Sequence, residues 1–99
     1  MNTDTNTNMN TLTIISPLRP QYTACGTYLV GRVEVANEEF RIEADLDKTW
    51  FSVIDENSRQ ESCVIEDGCI VFRSGEWVTD KWTDADWDAM NLHVAQAKA

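Results

Sequence analysis

The chain has 99 residues, with 17 aspartates and glutamates against 8 lysines and arginines, and a formal net charge of −9. That balance argues against direct binding to DNA or RNA, which rests on cationic neutralisation of phosphates, and against anionic membrane surfaces for the same reason. Yet 42% of the residues are hydrophobic, with four Trp, three Phe and two Tyr, so the chain can bury a core and reads as one domain, not as an acidic tail.

Residues 1–10 are rich in Asn and Thr and hold neither a base nor an apolar stretch, unlike a secretory signal. They are expected to form a disordered lead-in to a domain at 11–99, with Met9 as an alternative start. No run of about 18 apolar residues suggests a membrane span. Cys25, Cys63 and Cys69 lack the spacing of a disulfide framework, which favours reduced thiols and the cytoplasm.

Residues 12–16 form a short candidate strand, closed by Pro17 and Pro20. Residues 21–26 are a connection with room for a helical turn. From 27 to 36 the alternation is plain, with Leu29, Val33 and Val35 on one face and Arg32 and Glu34 on the other. A turn at Asn37-Glu38 would set Val35 against Phe40, Val33 against Ile42, Glu34 against Arg41 and Arg32 against Glu43. A turn at Asp47-Lys48 then sets Ala44 against Phe51 and Ile42 against Val53, with Trp50 beside Asp45 on the polar face.

Residues 55–61 read as a solvated loop. Asp67-Gly68 is the strongest turn signal, the dipeptide a type I′ hairpin prefers. It predicts Ile65 opposite Ile70, Val64 opposite Val71 and Cys63 opposite Phe72. A further turn starts at Ser74-Gly75, and 76–79 is a candidate last strand. Thr83 then caps a helix, with Asp86 at the capping-box position and Trp87, Met90 and Val94 on its sheet side. The expected fold is α+β, an antiparallel β-meander of five to six strands with a C-terminal α-helix packed on the sheet.

Chemistry has few footholds. In the Asp67-Gly68 register Cys63 and Cys69 face opposite sides, so with His93 they are not expected to share a metal ion. Asp84, Asp86 and Asp88 imitate the start of a calcium loop, but Ala89 and Ala95 stand where it needs Gly and Glu. Cys25 and His93 lie in no nucleophile motif, and His93 reads as a helix-surface residue. The four glycines are isolated, with no phosphate loop among them. No catalytic residue, cofactor or metal is therefore expected. Trp77, Trp82 and Trp87 read as core or boundary packing, whereas Trp50, on the charged face, is a possible interface anchor.

The acids are unevenly placed. Sixteen of them lie between Glu34 and Asp88 beside five bases, so that segment carries −11. On one strand Glu39, Arg41, Glu43, Asp45 and Asp47 would share a face at intervals of about 6.6 Å, twice the strand rise. Asp80, Asp84 and Asp88 offer a second row at the helix start. Rows at such spacing approximate rows of backbone phosphates, and would compete for the basic groove of a nucleic-acid-binding protein.

The region 11–99, including Gly26-Thr-Tyr-Leu-Val-Gly-Arg-Val-Glu-Val and Glu39-Phe-Arg-Ile-Glu-Ala-Asp-Leu-Asp, resembles phage-encoded acidic DNA mimics, most of all anti-CRISPR proteins acting on the type I-F surveillance complex. The resemblance implies binding to the basic channel where Cas8-like and Cas5-like subunits receive target duplex, blocking recognition without catalysis. It transfers no motif residues. Charge geometry alone nominates Glu39, Glu43, Asp45, Asp47, Asp80, Asp84 and Asp88 as partner-binding. The alternative expectation is a small acidic regulatory or structural module that binds its partner through Trp50 and neighbouring apolar residues, its charge serving solubility.

Overall fold

The computed structural model describes residues 11–98, so the expected lead-in at 1–10 lies outside the described residues. Six strands, β1 (Thr13–Thr23), β2 (Gly26–Val35), β3 (Glu38–Ala44), β4 (Trp50–Ile54), β5 (Gln60–Glu66) and β6 (Cys69–Gly75), form one antiparallel sheet in sequential order. A helix, α1 (Asp84–Gln96), packs on one face. The result is the α+β meander with a C-terminal helix that the alternation and the capping box predicted.

Alternation fixes the inner face. Leu29, Val33 and Val35 of β2, Phe40, Ile42 and Ala44 of β3, Phe51 and Val53 of β4 and Cys63 of β5 are all buried. Met90 and Val94 of α1 join them, with Leu18, Val78 and Trp82 closing the sides. Each large side chain removed from water contributes about 1.5–3 kcal/mol. On the other face Arg32, Glu34, Glu39, Arg41 and Glu43 alternate with these residues, and no element among the described residues covers it.

The β3–β4 register is as expected, with Ala44 opposite Phe51 and Ile42 opposite Val53. The β2–β3 hairpin is not. Its turn is Ala36-Asn37, both at positive φ, and Val33 lies opposite Phe40. The expected Glu34–Arg41 and Arg32–Glu43 pairs are replaced by Glu34 opposite Glu39 and Arg32 opposite Arg41. Ion pairs form diagonally instead, Arg32 with Glu39, and Arg41 with Glu43 along the strand. A two-residue slip leaves every side chain on its own face, so alternation is blind to it.

Strand β1 does not stop at Pro17, and residues 21–23 are strand rather than a helical turn. Both prolines are tolerated because β1 is an edge strand, and the register shifts on each side of Ser16 absorb them. Leu18 is turned into the core there, and its N–H donates to His93 Nε2 at 3.4 Å. His93 is thus half-buried rather than a plain surface residue, and burial lowers its pKa. Gly31 makes the close approach possible. A Cβ there would meet the Ser16 carbonyl oxygen at 2.7 Å and the Leu18 nitrogen at 3.0 Å.

Two further expectations change at the other edge. Residues 60 and 61 belong to β5, not to the preceding loop, and residues 76–79 are not a strand. Asp67-Gly68 forms the predicted turn, with Ile65 opposite Ile70. Beyond it a bulge intervenes, placing Phe72 opposite Val64 and Arg73 opposite Cys63. A one-residue slip exchanges faces. Phe72 therefore faces solvent at 60% exposure, and Arg73 turns toward the helix side.

The helix is anchored by Asp86, which is fully buried. Thr83 and Asp86 form a reciprocal capping box. The same carboxylate accepts from the backbone N–H groups of Thr11 and Leu12 at 2.8 and 2.9 Å and from the Thr11 hydroxyl at 3.0 Å. Burial alone would raise its pKa, but the hydrogen bonds from Thr83 and Thr11 outweigh it and hold the carboxyl below its ordinary value. Its stabilisation is therefore complete above the ordinary aspartate pKa of about 3.9 and is lost as pH falls below that value. Asp86→Ala leaves several donors unmatched and should lower stability by about 2–3 kcal/mol in denaturant titrations, with a smaller acid-induced loss below pH 4 than in the parent. Gly31→Ala should cost about 1–3 kcal/mol by the same measurement, because β1 must move away.

Candidate acidic-aromatic groove

The register shift in β6 turns Arg73 into a concave part of the surface. An open groove of about 770 Å³ lies between β6, the 76–83 connection and the first turns of α1. Its lining includes Arg73, Trp77, Trp82 and Trp87 together with Asp80, Asp84 and Asp88. Helical spacing puts Asp84 and Asp88 one turn apart, about 6 Å in rise, on the side away from Met90 and Val94.

Aromatic packing shapes the wall. Trp82 stands edge-on to Phe40 with ring centres 5.5 Å apart, and Trp87 lies 4.8 Å from Trp82. Trp82 and Trp87 thus are the boundary residues expected of them. Trp77 is not, being 64% exposed. The Arg73 guanidinium lies 5.0 Å from the Trp77 ring centre and 4.7 Å from that of Trp87, within cation–π range of both.

The charge of Arg73 is already met from behind. Its Nη1 lies 3.5 Å from Oε2 of Glu61, a residue that is 1% exposed. The other oxygen of Glu61 accepts from the Val78 N–H at 3.2 Å and the Thr79 hydroxyl at 2.8 Å, which fixes the connection leading to the groove. Alternation had suggested none of this, because Glu61 read as part of a solvated loop. The carboxylates of Asp80, Asp84 and Asp88, by contrast, make no ion pair or hydrogen bond among the described residues.

The first proposed acidic row is differently employed. Glu39 pairs with Arg32, and Glu43 accepts from Arg41 Nε at 2.8 Å. Strand β3 ends at Ala44, so Asp45 and Asp47 do not continue its face as the spacing suggested. Asp45 accepts from the Thr49 and Trp50 backbone N–H groups at 2.7 and 3.1 Å and closes the β3–β4 turn. Asp47 is exposed at that turn. Trp50 lies on the outer face, half-buried, with its ring 5.9 Å from that of Tyr28.

The three thiols and the histidine sit in different settings. Cys63 is buried, and desolvation, with a smaller contribution from Glu61, pushes its thiol up to about 12. Cys25 and Cys69 are exposed, and His93 is engaged with Leu18. Among the described residues no three His, Cys, Asp or Glu side chains are grouped to hold a metal ion, and no helix is long and apolar enough to cross a membrane. At pH 8 an aromatic disulfide reagent should modify Cys25 and Cys69 rapidly and Cys63 only after unfolding. Equal rates at all three thiols would contradict this burial. No family model, curated protein or solved structure matches the chain.

Proposed function

We propose that this protein is a non-enzymatic inhibitor that stands in for duplex DNA in the basic channel of a type I-F CRISPR surveillance complex, in the cytoplasm of a bacterial host. Its partners would be the Cas8-like and Cas5-like subunits that line that channel. The observation that supports this reading is the set of three uncompensated carboxylates, Asp80, Asp84 and Asp88, on one groove of a folded surface. A carboxylate already paired within the chain has less to gain from a partner's Lys or Arg. A free one exchanges only water and counterions for it, as a phosphate does.

Geometry favours the helix row over the strand row. Asp84 and Asp88 are held one turn apart by a helix whose start is fixed by Asp86, so they meet a partner at little cost in ordering. The formal charge of −9 adds long-range steering toward a basic channel. A second reading rests on the uncovered outer face, where the Tyr28–Trp50 pair offers an aromatic anchor. There the partner would be held by apolar contact, with charge serving solubility.

Binding to purified type I-F surveillance complex separates the two. Mimicry predicts that affinity falls about tenfold or more between 50 and 200 mM salt. It also predicts that the combined Asp80→Asn, Asp84→Asn and Asp88→Asn variant binds at least about tenfold more weakly. A loss confined to Trp50→Ala, with weak salt dependence, would instead favour the apolar interface. No binding at any salt would overturn both assignments of this partner.

A further inference from the structure

We propose that the groove recognises an arginine side chain of its partner, the guanidinium stacking on the open face of Trp77 while the carboxylates of Asp80, Asp84 and Asp88 receive its N–H donors. This deepens the reading above, on which it rests for the partner being a basic protein, by naming the residue type and the place of contact.

Three independent features converge on it. The first is charge. Arg73 is neutralised by the buried Glu61, so the groove keeps three negative charges that no cation among the described residues offsets. A cationic occupant is the complement of that charge. The second is the exposed indole of Trp77, beside Arg73 on one side and open to solvent over most of its surface. A large aromatic left this exposed, in a concave and acidic setting, matches the anchors that dominate protein interfaces. The third is that the chain itself shows what these rings hold. Arg73 lies over both Trp77 and Trp87, so the aromatic walls already accept a guanidinium.

Arginine fits better than lysine for physical reasons. A guanidinium is planar, is weakly hydrated and can stack on indole while its edge donates in the same plane to carboxylates. A lysine ammonium is a compact, strongly hydrated point charge and gains less from the ring.

The test uses the full chain and two blocked peptides of equal length and charge, one carrying arginines separated by glycines and the other lysines at the same positions. Binding is followed by the indole N–H signals in two-dimensional NMR. The arginine peptide should shift the Trp77 signal and bind about three- to tenfold more tightly than the lysine peptide. Trp77→Ala should remove that preference, and because Trp77 is mostly exposed the variant should retain the parent's unfolding midpoint. Trp77→Phe should restore part of the preference. Equal affinities for the two peptides, or a preference that survives Trp77→Ala, would overturn the proposal.

The same variants on the purified surveillance complex keep the two levels apart. If the parent binds the complex and Trp77→Ala binds equally well, the arginine site is wrong and mimicry stands. If the parent ignores the complex but retains the Trp77-dependent arginine preference, mimicry fails and the groove's specificity stands.

Discussion

The carboxylate of Asp86 receives hydrogen bonds from Thr83, at the start of the helix, and from Thr11 and Leu12, at the approach to the first strand. An ionised group with no exposure to water survives only where such donors replace its hydration. Here they also join segments 75 residues apart in the chain. The helix start, and with it the placement of Asp84, Trp87 and Asp88, depends on that junction. At the far side of the sheet Asn91 donates to the Gly68 carbonyl at 2.7 Å, so the helix is tied to both sheet edges. The groove is thus framed by fixed elements.

Seen this way, the negative charge divides by use. Asp45 and Asp55 close turns, the latter by accepting from the Asn57 and Arg59 backbone N–H groups and the Arg59 side chain. Glu61 and Asp86 are buried supports, and Glu39 and Glu43 are paired on the outer face. Such groups are largely committed to holding the fold. Self-repulsion among like charges destabilises a compact chain, so each internal pair relieves part of it. The aspartates around the groove do nothing of the kind, and their unrelieved repulsion is what a cationic partner would remove.

How much of this could be read from the residues differs from element to element. The inner face of β2, β3 and β4 was legible because a period of two states directly which side chains meet the core. The helix start was legible because Thr83 and Asp86 form a local pattern. The β2–β3 register was not, since a slip of two preserves every face. The bulge in β6 was invisible for a different reason, as Val64, Val71 and Phe72 are apolar in either arrangement and nothing local marks the extra residue. That bulge turns Arg73 toward Glu61, Trp77 and Trp87, so the groove was hidden with it. Asp80, Asp84 and Asp88 could be named from spacing, but their convergence with three tryptophans belongs to tertiary structure. The hub at Asp86 was half legible: its cap is local, whereas Thr11 reaches it only through the fold.

The proposed role of these carboxylates is to occupy the place of DNA. It is tested most directly by competition, with a labelled target duplex bound to purified type I-F surveillance complex and its anisotropy followed as the protein is added. Mimicry predicts that the duplex is displaced in proportion to protein bound, and that the Asp80→Asn, Asp84→Asn, Asp88→Asn variant displaces it only at about tenfold or higher concentration. A complex that binds the protein and still holds its duplex with unchanged affinity would contradict it.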